Sequence, residues 1–271
     1  MQKTISLVLA LFLAFALAGC GGAVKNTATS PEKKNIVVAA SPTLKDILSV
    51  AKEEFDKDGY TLELKIFDDL VTPNIALQEG SVDVNFYQHE PYLIQFNQNK
   101  GTTLVKYHDG ILKYFMGVFS KKIKNLNELR DGATVSIPND PSNRARALKV
   151  LQTNGLIKMK DGAALPTKLD IVENRKNLEI IEIDVMKLVS SLDDVDISTI
   201  NSIVAVQGNL DLKSAIALED KAESDKFALI IAVKKDQNSE KAAERLEKAL
   251  KSDRVRAFLA EKYKGAIVPL F

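Results

Sequence analysis

The chain predicts an α/β fold with parallel sheets, on three observations. From residue 35 onward, apolar runs of strand length alternate with segments of helical periodicity. Four of the helical segments open with a polar residue followed by Pro, each soon after a strand. Cys20 is the single cysteine, so no internal disulfide is possible and a hydrophobic core must hold the folded body together.

The elements follow in order. Asn35–Ala40 (NIVVAA) is an unbroken apolar run suited to a strand covered on both faces. Ser41-Pro42 reads as an N-cap and first helical position, and Leu44, Ile47, Leu48, Ala51 and Phe55 recur at helical spacing until Asp58-Gly59. Residues 61–67 alternate, with Leu62, Leu64 and Ile66 on one face. Thr72-Pro73 then opens a short helix ending at Gly80, residues 82–86 form a strand, and Glu90-Pro91 opens a helix ending near Gly101. Strands at 103–107 and 133–137 follow, and Asp140-Pro141 opens a helix running to Asn154-Gly155. No fixed-period repeat interrupts this grammar.

The first residues set the compartment. Lys3, an apolar run from Ile5 to Ala18 and the closing Leu17-Ala18-Gly19-Cys20 read as a secretory signal peptide over 1–19. The segment is short for a membrane span. A Cys after Leu-Ala-Gly resembles the bacterial lipobox, in which cleavage leaves Cys20 as a lipid-bearing amino terminus. Residues 20–34 are small, polar and charged, and read as a flexible, lipid-anchored tether. The expected location is the extracytoplasmic side of a cell membrane. With 37 basic and 36 acidic side chains, the chain carries no electrostatic footprint for nucleic acid.

Candidate chemistry centres on NFYQHEPYL, residues 85–93. With two histidines, His89 and His108, a tight transition-metal site lacks ligands, and neither HExxH nor paired-Cys spacing occurs. There is no G-x-S-x-G elbow, no SxxK and no phosphate-cradling GxxxxGK[ST]. Neither a catalytic residue nor a cofactor is therefore expected. Tyr87, His89 and Tyr92 instead offer flat apolar faces with polar tips, suited to enclosing a small amphiphilic ligand. The Pro-marked helix starts place unpaired N–H groups at the carboxyl ends of strands, where open α/β sheets bind ligands and where a carboxylate is favoured.

Several segments carry a family resemblance: FDDLVTPNIAL (67–77), NFYQHEPYL (85–93), FSKKIKNLNELRDGATVSIPNDPSN (119–143), NGLIKMKDG (154–162) and LDIVENRKNLEIIEID (169–184). In this order and spacing the chain resembles the NlpA lipoprotein family, the substrate-binding lipoproteins of methionine ABC importers. The resemblance implies a type II periplasmic-binding fold, with two α/β lobes joined by a two-segment hinge. Lobe one would be 35–117 plus 228–271 and lobe two 118–227, with crossings at 114–119 and 227–231. It implies a methionine-like amino-acid ligand in the cleft, a permease and its ATPase as partners, and no turnover.

Carried over by position, Tyr87, His89 and Tyr92 would form an aromatic wall, with Gln88 beside them. Tyr114, opening the first crossing, joins the candidate ligand-binding set. Arg146 would clamp the ligand carboxylate in the two-pronged geometry of a guanidinium, assisted by Asn143, and Asn201 would reach the amino-acid head group. The residues themselves do not choose between Arg144 and Arg146, which point about 200° apart on a helix. Two departures stand out: Leu70 where methionine-binding relatives carry Tyr, and Ala228 where they carry a second Asn. Both changes would delete polar groups facing the ligand's polar end, each worth about 1.5–3 kcal/mol. D-methionine or a methionyl dipeptide is therefore an alternative ligand. An adhesin on the same fold is a second alternative. A hydrolase is a third, and it would need a Ser or acid within reach of His89 or His108.

Overall fold

In the computed structural model, which describes residues 33–271, the opening apolar run forms strand β1 (Asn35–Ala40) with a paired strand on each side. The expected signal peptide, Cys20 and the expected tether as far as residue 32 lie outside the described residues. Lys33 and Lys34, read as tether, are already tied down: Lys33 pairs with Asp83 at 2.7 Å and Lys34 lies 4.7 Å over the Tyr60 ring.

Ser41 opens only a single 3-10 turn, Pro42–Leu44, and helix α1 (Lys45–Lys57) follows. The Ser41 hydroxyl makes no cap bond and hydrogen-bonds the Thr43 hydroxyl at 2.6 Å. Strand β2 (Thr61–Ile66) pairs in parallel with β1 at the sheet edge, so Leu62 is buried while Leu64 and Ile66 are partly covered. Helix α2 (Thr72–Glu79) stops at Gly80, whose φ of 80° is the left-handed cap that glycine tolerates best.

Strand β3 (Val84–His89) runs further than the sequence suggests, because all six of its residues are buried and the polar ones find partners inside. Helix α3 (Glu90–Lys100) follows without a loop. Strand β4 (Val105–Tyr114) also outruns its expected end at Tyr107. His-Asp-Gly at 108–110 forms a bulge against a neighbouring strand, with His108 at a φ of 53°. Gly110 is required there, since a Cβ on it would lie 2.3 Å from that of Ala228.

Phe115 breaks the expected crossing into the end of β4 and a new strand, β5 (Met116–Phe119), in the second sheet. Strand β6 (Thr134–Pro138), helix α4 (Pro141–Thr153) and the small hairpin of β7 (Lys158–Met159) and β8 (Ile171–Glu173) come next. Then follow β9 (Glu179–Ile183), helix α5 (Leu188–Ser191), β10 (Ile197–Asn201), helix α6 (Ser202–Gln207), β11 (Ala217–Leu218) and helix α7 (Lys221–Ser224). Strand β12 (Leu229–Val233) returns to the first sheet, followed by helices α8 (Gln237–Leu250) and α9 (Asp253–Tyr263) and strand β13 (Ile267–Pro269).

The first sheet has the order β13-β4-β12-β3-β1-β2 and the second β11-β5-β10-β6-β9. The parallel pairs β1/β2, β1/β3, β6/β9 and β6/β10 aim their carboxyl ends toward the site described below. A core of Met116, Val135, Leu148 and Leu151 fills one side of the second sheet. On its other side Ile200, Ile203 and Ala205 join the core of the first sheet, so apolar packing is continuous between the halves. Ser202 fastens the junction: its N–H donates to the Phe115 carbonyl, and its hydroxyl donates to the Ala266 carbonyl at 2.6 Å.

Phe86, fully buried in β3, is the test of this core. Phe86→Ala should lower unfolding free energy by about 3–5 kcal/mol in a denaturant titration. A loss under about 1 kcal/mol would mean that β3 is not central to the fold.

Candidate functional site

A narrow cavity of about 40 Å³ lies where β1, β3 and β10 end and α4 begins. Seven of the eight sequence-derived candidates line it: Tyr87, Gln88, His89, Tyr92, Tyr114, Asn143 and Asn201. Leu70, Val185, Met186 and Val204 supply apolar surface, and Ser41 and Thr43 supply hydroxyls. The period of a strand puts residues 87 and 89 on one face of β3, and the first turn of α3 brings Tyr92 beside them. Tyr87 and Tyr92 meet edge-on with centroids 6.2 Å apart, and His89 stands edge-on to Phe227 at 5.0 Å.

Both tyrosine hydroxyls donate to the Leu70 carbonyl, each at 2.7 Å. They therefore fix the loop that carries Leu70 and present their rings, not their tips, to the cavity. Burial pushes both phenols above their ordinary range, so they remain protonated donors.

His89 joins the two sheets. Its Nδ1 accepts the Tyr92 N–H at 3.1 Å, capping α3, which leaves the proton on Nε2. That Nε2–H donates to Asn143 Oδ1 at 3.2 Å. Burial, followed by the nearby Arg146 charge, pulls the His89 pKa down to about 3, so the ring is neutral at physiological pH. The Asn143 oxygen also accepts from Asn201 Nδ2 at 3.4 Å, while Asn143 Nδ2 donates to Asp140, the N-cap of α4.

Three expectations need correction. Gln88 lines the cavity, but its amide is already engaged: its Nε2 donates to Asn74 Oδ1 (2.6 Å) and Asn85 Oδ1 (2.9 Å), and its Oε1 accepts from Asn74 Nδ2 (2.9 Å). Gln88 thus holds α2 against β3, and its amide has no remaining donor. Ala228 does not line the cavity but packs its methyl on Gly110. Leu70, by contrast, does line it.

The third correction concerns Arg146, which stands behind the cavity wall with its side chain 2 % exposed. Its Nε and Nη2 donate to the two Glu219 oxygens at 2.7 and 2.8 Å, and Nη2 also donates to the Tyr114 carbonyl at 3.0 Å. The guanidinium lies over Phe227 (4.2 Å) and Tyr114 (4.9 Å). The forked edge expected to grip a ligand is therefore filled by Glu219. Only Nη1, buried and without a protein partner, is left. Arg144 points elsewhere and pairs with Glu182 at 3.2 Å. Asn201 Oδ1, an acceptor at the edge of the cavity, is likewise buried without a partner, as are Arg144 Nε and Thr199 Oγ1, which lie outside the cavity lining.

Glu219 and Phe227, which contact Arg146 and His89, are the site neighbours that sequence reasoning missed. An acid directly after the apolar Ala-Ile-Ala-Leu run was the available signal for Glu219. His108 is exposed and pairs with Glu247 at 2.9 Å. Among the described residues, no serine is hydrogen-bonded to either histidine, and no cluster of three or more His, Cys, Asp or Glu could hold a metal.

The model of the NlpA lipoprotein family matches residues 36–271. The chain belongs to the NlpA lipoprotein family. Among relatives, the D-methionine-binding lipoprotein MetQ of Salmonella typhi is 40 % identical over 98 % of this chain and 97 % of its own. A crystal structure of the methionine binding protein MetQ has 38 % identity and a TM-score of 0.82, covering 88 % of this chain and 98 % of the other. A nutrient binding protein from Burkholderia cenocepacia bound to methionine has 38 % identity and a TM-score of 0.79, covering 87 % and 100 %. The α/β architecture of this NlpA member is thus that of substrate-binding proteins.

His89 makes stability depend on pH. Its folded pKa, about 3, is below the ordinary 6.5, so below pH 6.5 the unfolded chain takes a proton that the folded chain refuses. The stabilisation is complete above pH 6.5 and is lost progressively as pH falls toward 3. Depressed carboxylates such as Asp69 act lower, from their ordinary 3.8 downward. Melting temperature should therefore fall between pH 6.5 and 4.5, and His89→Gln should flatten that fall. Parallel profiles for the two proteins would remove His89 as the cause.

Proposed function

We propose that this chain is a lipid-anchored substrate-binding protein that captures methionine between two lobes and hands it to an ABC importer. The lobes would be 35–117 plus 228–271 and 118–227, with the lipid carried by Cys20. Its relatives, methionine-binding lipoproteins among them, support the ligand and the anchor. The observation that carries the reading is chemical. A buried, unpaired donor (Arg146 Nη1) and a buried, unpaired acceptor (Asn201 Oδ1) match the carboxylate and ammonium of an amino acid. Tyr87, Tyr92, Leu70 and Met186 offer its thioether tail an apolar wall. The narrowness of the cavity means that a ligand enters when the halves part, a hinge motion about the Phe115 and Ala228 crossings.

Native mass spectrometry of the purified protein should show methionine carried through purification. Asn201→Ala should weaken binding about ten- to a hundredfold in calorimetry, the loss of one hydrogen bond to a charged group. Neither bound nor added methionine registering on the wild-type protein would end the proposal.

A further inference from the structure

The charged groups whose fields reach the cavity's tyrosines and His89 are four acids, Asp69, Asp140, Asp184 and Glu219, and one cation, Arg146; Arg144 acts on Asp140 and is itself paired with Glu182. Arg146 is the one fully buried cation beside it among the described residues, and Glu219, equally buried, already neutralises it. His89 is uncharged. Asp140 places a second carboxylate one hydrogen bond from Asn143, whose oxygen faces His89 and Asn201 in the cavity wall. Asp69 and Asp184 add their fields at Tyr92.

This balance decides which ligands can enter. A lone carboxylate would bring net negative charge into a poorly solvated space whose cation is already engaged. A zwitterion brings none: its carboxylate takes Arg146 Nη1, and its ammonium finds an acceptor in Asn201 Oδ1 and a favourable field from the acids. Neutralising the guanidinium in advance turns a general anion site into one that needs both charges at once.

We propose that Glu219 is a positioning residue that makes the site select amino-acid zwitterions and exclude the same molecules lacking the amino group. It acts through Arg146, fixing Nε and Nη2 and leaving Nη1 as the single free donor. The inference rests on the reading above that the cavity takes an amino acid.

The test compares methionine with its des-amino analogue, the (methylthio)butanoate anion, by calorimetry on the full-length protein in detergent. The wild type should prefer methionine by about a hundredfold or more. Glu219→Gln should shrink that preference by about tenfold or more, because the released guanidinium charge now rewards the anion. Glu219→Asp, which keeps the charge, should retain most of the preference. A merely structural role would weaken both ligands equally and leave their ratio unchanged, which overturns the proposal. A wild type that binds both ligands alike also overturns it, and that comparison decides the matter should the Gln variant not fold. Binding of neither ligand would instead remove the amino-acid reading, and this inference with it.

Discussion

The buried pair of Arg146 and Glu219 is the constraint around which the site is arranged. Two side chains that are 2 % exposed meet in a two-pronged contact, and the Phe227 and Tyr114 rings flank the guanidinium. Removing either partner would strand a buried charge, an effect of about 3–5 kcal/mol. The pair also joins α4 to the segment after β11, and through the Tyr114 carbonyl it reaches the end of β4. It thus ties the second sheet to the strand that leaves the first.

The rest of the polar wall is neutral and almost fully spent on itself. His89 uses both nitrogens, one to cap α3 and one to reach Asn143 across the sheets. Asn74, Asn85 and Gln88 close a buried network that carries no charge. Both tyrosine hydroxyls are committed to Leu70. Such a wall has few loose donors, so the atoms left unpaired, Arg146 Nη1 and Asn201 Oδ1, gain chemical weight. Apolar side chains from both halves enclose the remaining space.

Much of the fold was legible because Pro and Gly punctuate it. Strand β1, the Gly80 stop of α2 and the Asp140 cap of α4 all follow from local chemistry. The extension of β4 past Tyr107 was not, because it depends on pairing with β12, which is remote in sequence. In the site, the strand period and the motif NFYQHEPYL gave the aromatic wall. The engagement of the Gln88 amide was not legible, because its partners, Asn74 and Asn85, declare themselves only in three dimensions. Glu219 was missed for the same reason, lying 73 positions from the arginine it binds. Local pattern did not choose between Arg144 and Arg146; the family resemblance singled out Arg146 as a clamp, and neither could show that its forked edge was already occupied.

The central claim is that Arg146 offers a ligand one nitrogen while Glu219 keeps the other two. A crystal structure of the protein grown with methionine tests it most directly. The account requires the ligand carboxylate on Nη1, its ammonium at Asn201 Oδ1, and Glu219 still paired with Nε and Nη2. A carboxylate seated on the Nε–Nη2 edge with Glu219 displaced, or methionine bound away from Tyr87 and Tyr92, would contradict it.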